Sequence, residues 1–247
     1  MLSKKFSSKT LPFLLIALFV VLLLARYVFG WVQFYRMHDT QMEPSIPAGE
    51  MILSTNLHHA QRGDIVCYKV FIEEITNIQK SGIVTGIGRI AAMGGDELTL
   101  KNGRAWVNGQ ATEEGLPLRF LYSVSSECYQ ANRAFFSRLP AERLAQGSFY
   151  QGTTDSLRYY LDDSEVAALQ GKVVRYEQRI PLGSDTYYPA MRQLFAPNPG
   201  WTLDNLGPLS IPPGMVFILG DNRNNSADSR YRGFIPESDV VGVLLGQ

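Results

Sequence analysis

The sequence predicts a mostly β ectodomain of antiparallel strands, interrupted by an inserted α+β cap subdomain and tethered by one N-terminal transmembrane helix. Three observations predict it. Short apolar strands alternate with Gly, Pro and Asn-Gly turn signals over residues 33–112 and again over 206–247. Between them, at about 113–205, that pattern gives way to helix-competent and irregular segments. Near the N-terminus lies a single long apolar run.

That run spans residues 11–32 and is broken only by Pro12, Arg26 and Gly30, which is long enough to cross a bilayer. Lys4, Lys5 and Lys9 precede it, so residues 1–10 read as a cytoplasmic tail and the remainder as exported across the cytoplasmic membrane in a single pass. The continuation Arg26-Tyr27-Val28-Phe29-Gly30-Trp31 reads as an interfacial aromatic belt with a snorkelling Arg rather than a signal-peptide cleavage site. Lys+Arg and Asp+Glu balance at 23 each, which argues against a nucleic-acid partner. His38, His58 and His59 show no ligand spacing with Cys67 and Cys128, so a zinc site is not expected. Cys67, inside Ile65-Val66-Cys67-Tyr68, reads as a small buried hydrophobe, and pairing of Cys67 with Cys128 is left open.

Taken in order, Met42 to Glu50 is a turn-rich lead-in to the apolar Met51-Ile52-Leu53-Ser54. Arg62-Gly63-Asp64 opens a strand over Ile65–Phe71, and Gly82–Met93 reads as another, ending in the Gly94-Gly95-Asp96 turn. Leu98-Thr99-Leu100 and Ala105-Trp106-Val107 flank Lys101-Asn102-Gly103, a hairpin signal, and Asn108-Gly109 repeats it. In the insert, Tyr129–Ala145 and Asp163–Leu169 are helix-competent, the second starting at Asp162-Asp163-Ser164-Glu165. Val173–Tyr176 resembles a strand, and Tyr187–Pro208 an irregular return. Met215–Leu219 and Val240–Leu245 then bracket a loop, Gly220 to Tyr231, dense in Asp, Asn, Ser and Arg that brace their own backbone.

Four segments stand in order: Gln41-Met42-Glu43-Pro44-Ser45-Ile46, Gly63-Asp64-Ile65-Val66, Arg89 to Asp96, and Gly220-Asp221-Asn222-Arg223-Asn224-Asn225-Ser226-Ala227-Asp228-Ser229-Arg230-Tyr231. With the anchor they resemble the bacterial type I signal peptidase family. The resemblance implies a membrane-bound serine endopeptidase with a Ser/Lys dyad, a signal-peptidase-like β core with a variable cap, and no metal or organic cofactor. It implies that Asp228, Arg230 and Arg89 brace the core, that Ser226 orients the base, and that Met42 and Pro44 border the substrate groove. A gap-filling core role for Met42 is the other reading.

The chemical positions depart from the family pattern. The nucleophile position is Gln41, whose carboxamide carries no useful nucleophile. The general-base position is Gly88, and neighbouring Arg89 stays protonated. The side-chain oxyanion-donor position is Asp39, a carboxylate that would oppose a developing negative charge. No catalytic residue is therefore expected at these positions. Of the substitutes, Thr40 is one residue out of phase and, in an extended segment, points to the opposite face. Ser45 lies beyond Pro44, and Lys80 lies eight residues before Gly88.

The residues support an inactive signal-peptidase-like membrane protein that binds exported or signal-peptide-like segments or assists an active peptidase. The alternatives are an active signal peptidase with an unconventional dyad drawn from Ser45 or Thr40 with Lys80, and an assembly factor acting through the cap.

Overall fold

The computed structural model describes residues 11–24, 26, 30–72, 82–145, 156–177 and 189–246. Antiparallel β-structure dominates. A helix α1 (Leu11–Leu23) precedes β1 (Gln33–Arg36), β2 (Met51–Thr55), β3 (Ile65–Ile72), β4 (Gly82–Met93), β5 (Glu97–Lys101), β6 (Arg104–Val107) and β7 (Gln110–Ala111). The insert supplies β8 (Arg119–Ser125), β9 (Ser156–Asp162) and β10 (Val173–Arg175). The return contributes β11 (Leu206–Ser210), β12 (Met215–Leu219), β13 (Ile235–Pro236) and β14 (Val240–Leu244).

These strands form a seven-stranded sheet in the order β1-β2-β14-β3-β4-β12-β13, a four-stranded sheet β11-β5-β6-β7, and a three-stranded cap sheet β10-β8-β9. The main core lies where the first two sheets face each other. Ala91, Ala92, Phe217 and Leu219 pack there against Leu98, Leu100, Ala105, Val107, Leu206 and Leu209. Both Asn-Gly hairpins form as read. Asn102 and Gly103 have φ of 49° and 72°, and Asn108 and Gly109 have 52° and 78°. Positive φ at both central positions gives a two-residue turn whose twist matches the flanking strands.

The cap departs from the sequence reading in three places. Residues 129–145 do not form one helix. They contain the end of α2 (Ser126–Ala131), α3 (Arg133–Phe136) and a 3₁₀ turn at Ala141–Arg143. Asn132 ends α2 because its side chain donates to the Cys128 carbonyl at 2.7 Å and the Gln170 carbonyl at 2.8 Å, competing with the helical ladder. β8 is buried along most of its length, so it lacks the period-two alternation by which a one-sided strand is read. The stretch read as an irregular return holds a helix, α5 (Pro189–Phe195). Met191 and Phe195 lie one helical turn apart and are buried in the main core. Helix α4 (Asp163–Ala168) starts as expected, with Asp162 and Glu165 forming a reciprocal capping box.

Within the predicted anchor, α1 is 13 residues long with no buried residue, which spans about 20 Å against the ~30 Å of a bilayer's hydrocarbon core. No helix among the described residues is long and apolar enough to cross a membrane.

Cys67 and Cys128 are both free and buried. They sit in separate apolar clusters, one in the main sheet and one in the cap. Burial pushes the Cys67 thiol up to about 11, with the Ser54 hydroxyl partly offsetting it, and burial also raises Cys128. Neither thiol is an effective nucleophile near neutral pH. A colorimetric disulfide reagent at pH 8 should titrate neither cysteine in the folded protein within minutes and both in guanidinium chloride. Prompt native reaction at Cys67 would contradict this burial.

Candidate functional site

The four sequence motifs converge on one buried ion pair. Arg89 on β4 donates to Asp221 twice, Nε to Oδ1 at 2.9 Å and Nη2 to Oδ2 at 2.7 Å. Its Nη1 donates to the Gly63 carbonyl at 2.7 Å, and the Ser45 hydroxyl donates to Asp221 Oδ2. Asp221 is fully buried, so this fork–fork geometry carries the charge-assisted bonds that a desolvated carboxylate requires.

The second half of the opening motif is fastened to the same loop. Asn222 donates its backbone N–H to the Gln41 carbonyl at 2.9 Å and its side-chain amide to the Thr40 carbonyl at 3.0 Å. Asn225 donates to Thr40 Oγ1 at 2.7 Å. Gly220 permits this docking. An added Cβ would lie 2.2 Å from Ser226 Oγ and 2.8 Å from the Gln41 carbonyl. Asp39, Thr40, Gln41, Asn225 and Ser226 thereby line one cavity of about 400 Å³. Thr40 therefore does not face away from Gln41 as expected. Residues 39–46 form turns rather than extended chain, and the two-face alternation of a strand does not apply to them.

Within this cavity few polar side chains are paired among the described residues. Asp39 Oδ1 accepts from the Gln41 backbone N–H at 3.1 Å. That places a negative charge on an N–H where an acyl-transfer site needs a free donor. Ser226 Oγ is buried without a hydrogen-bond partner among the described residues. The Gln41 side chain shows no hydrogen bond there.

Gly88 is closed rather than vacant. A Cβ at this position would lie 2.5 Å from Ile218 Cγ2, and the Tyr68 ring passes 3.6 Å away. Gly86 lies under the same ring, with a hypothetical Cβ 2.8 Å from Tyr68 Cζ. A β-branched side chain is stiff at χ1, so Ile218 cannot swing clear at low cost. Burial raises the Tyr68 phenol well above its ordinary range, Asp228 and Asp39 add to the shift, and Arg232 opposes it. A phenol held protonated is no base at neutral pH.

Of the bracing residues, Arg230 and Asp228 pair with each other, Nε to Oδ1 at 2.9 Å and Nη2 to Oδ2 at 2.8 Å, while Asp228 also accepts from the Gly220 N–H. Burial pulls the Arg230 guanidinium down, but the Asp228 carboxylate outweighs it and holds the group above its ordinary range. Asp221, Glu113 and Arg223 also brace the site, and none was singled out for this role from sequence. Arg223 donates to Glu113 Oε2 at 3.0 Å and to the Gly220 carbonyl at 3.0 Å. A charged residue inside a braced loop was the available signal for Asp221 and Arg223; nothing local marks Glu113. Met42 is fully buried beside Met37, Ile46, Ile65, Cys67 and Ile87, and Pro44 is half-buried. Ser45 is committed to Asp221, and Lys80 lies outside the described residues. No three His, Cys, Asp or Glu residues among the described ones are placed to hold a metal.

Comparison with known proteins agrees with this architecture. The profile of the family described as "Signal peptidase, peptidase S26" matches residues 7–245. The chain belongs to the signal peptidase S26 family. It is 24% identical to "Signal peptidase I" of Aquifex aeolicus (strain VF5), over 92% of this chain and 80% of that protein. Local matches are stronger. "Probable signal peptidase I-1" of Synechocystis sp. (strain ATCC 27184 / PCC 6803 / Kazusa) is 50% identical over 17% of this chain and 21% of that one. "Signal peptidase I" of Buchnera aphidicola subsp. Acyrthosiphon pisum (strain APS) is 59% identical over 14% of this chain and 11% of its own length.

Four substitutions test this description. Gly88→Ala should cost about 1–3 kcal/mol through overpacking against Ile218. Combining it with Ile218→Ala should cost less than the sum of the single changes, measured by chemical denaturation. Additivity would show that the two side chains do not meet. Arg89→Ala should cost about 3–5 kcal/mol by stranding the buried Asp221 carboxylate. Arg62→Ala, at a pair whose Arg side chain is 39% exposed, should cost under about 1 kcal/mol.

Proposed function

We propose that this chain is a signal-peptidase-fold protein, anchored in the cytoplasmic membrane by the apolar segment 11–32, that holds extended exported segments without cleaving them. The observation that carries the reading is the filling of the Gly88 position by Ile218 and Tyr68. With Gln41 at the nucleophile position, neither member of a Ser/Lys dyad has a counterpart at this site among the described residues. Loss of the nucleophile from a coupled catalytic unit costs on the order of 10⁶ in kcat.

A peptide-binding role is supported by the sheet itself. β4 pairs with β3 from Gly82 to Arg89, but with β12 only from Arg89 to Met93. Gly82–Gly88 therefore keeps a second edge without a ladder partner among the described residues, and an extended peptide adds to such an edge by main-chain bonds. Edge strand β1 lies close by, with Tyr35 within hydrogen-bonding reach of Thr85. For the anchor, the wholly exposed apolar surface of α1, the apolar run that continues it and the three preceding lysines favour a single pass with the N-terminus in the cytoplasm.

The full-length protein in detergent should leave a signal-peptide substrate intact and resist labelling by a serine-directed acylating inhibitor. An added extended peptide should slow amide exchange at residues 83–88. Cleavage that disappears in Gln41→Ala would refute the inactive reading. Unchanged exchange under saturating peptide would refute the binding one.

A further inference from the structure

We propose that the emptied centre is a recognition pocket for a cationic N–H donor on the bound peptide, gripped by Asp39 with Gln41 and Ser226. The inference rests on the peptide-binding reading above and names what the site selects.

Charge supplies the first argument. Among the described residues, Asp39 is the sole formally charged one lining the cavity of about 400 Å³. One of its oxygens accepts from the Gln41 N–H, and its carboxylate has no ion-pair partner among the described residues. Arg232, on the same loop as Ser226, donates from Nε to the Ala227 carbonyl at 2.9 Å. Asp39 is exposed at this open cavity, and a carboxylate without an ion-pair partner favours a cation and disfavours an anion.

Unused hydrogen-bonding capacity supplies the second argument, independent of charge. Ser226 is only 9% exposed, yet its Oγ has no partner among the described residues. The Asn222 side-chain oxygen behind the same turn is likewise buried without a partner. A buried polar atom left unpaired is costly and rare, and a ligand that bonds it recovers that cost. The Gln41 carboxamide adds an acceptor at the mouth of the cavity, with no bond to the described residues. Asp39, Gln41 and Ser226 all line this cavity, and their carboxylate, carboxamide and hydroxyl groups suit an ammonium or guanidinium, which offers three to five N–H donors. In a family site built for chemistry, the same positions would face a reacting carbonyl. Here they hold a charge in place.

Matched N-acetylated extended peptides, differing only in lysine or norleucine at one scanned position, test this by titration against the full-length protein in nanodiscs. At one position lysine should bind about tenfold tighter, the scale of one added charge-assisted hydrogen bond. A matching gain on freeing the N-terminal amine, in place of the lysine gain, would assign the pocket to a chain end and still support the proposal. Asp39→Asn keeps the acceptor for the Gln41 N–H and should erase the preference, so that the lysine and norleucine peptides bind alike. Ser226→Ala should weaken lysine binding a few-fold with an unchanged melting temperature, because the hydroxyl it removes bonds to nothing in the free protein. Equal binding of the two peptides at every position together with no gain on freeing the N-terminal amine, or a preference that survives Asp39→Asn, overturns the proposal alone. Failure of every peptide to bind overturns both this proposal and the peptide-holding reading beneath it.

Discussion

The Arg89–Asp221 pair is the interaction on which the rest of this structure depends. Its guanidinium spans β4 to the C-terminal loop and takes the Gly63 carbonyl on the way, while Ser45 closes on the same carboxylate. Segments nearly two hundred residues apart in sequence are thus fixed by one desolvated contact. A buried pair of this kind contributes little net stability against an apolar equivalent, but losing one partner is severe. Such a contact sets geometry more than it adds energy. It determines where the turn carrying Asp39, Thr40 and Gln41 meets the loop carrying Ser226.

Two glycines show how a missing side chain produces opposite results. At Gly220 the absence of a Cβ lets Ser226 and the Gln41 carbonyl approach the backbone, so the glycine builds the site. At Gly88 the absence is met by Ile218 and the Tyr68 ring, so the glycine closes it. Close packing explains the second case. A void next to apolar neighbours forfeits dispersion contacts, and neighbouring side chains fill it where they can. Apolar side chains thus pack beside Gly88, while polar residues line the cavity at Gln41.

The cap is coupled to that wall as well as stacked beside it. Arg119 at the start of β8 pairs with Glu43 in the opening motif, its backbone N–H donates to the Asp221 carbonyl at 3.0 Å, and Leu121 donates to Asn224 at 3.0 Å. From the other side, Arg223 reaches the buried Glu113 just past β7. A ligand that shifts the loop therefore acts on residues tied into both sheet and cap.

Much of this molecule was legible in its residues, and the boundary has a physical cause. Apolar runs bounded by turn signals located β3, β4 and β12, and Asn-Gly turns located the β5–β6–β7 meander, because both signals depend on local backbone preference. The cap strands β8 and β9 and helix α5 were not legible. Burial of most of β8 removes its alternation, and a seven-residue helix such as α5 is held by Met191 and Phe195 against partners distant in sequence. The family followed from sequence alone, since motif order and spacing need no coordinates. Only the tertiary structure decided that Asp221 is the carboxylate Arg89 grips, that Thr40 and Gln41 border one cavity, and that Ile218 occupies the space beside Gly88. Each of these is a contact between chain segments remote from one another, and no local pattern encodes which side chain fills another's space.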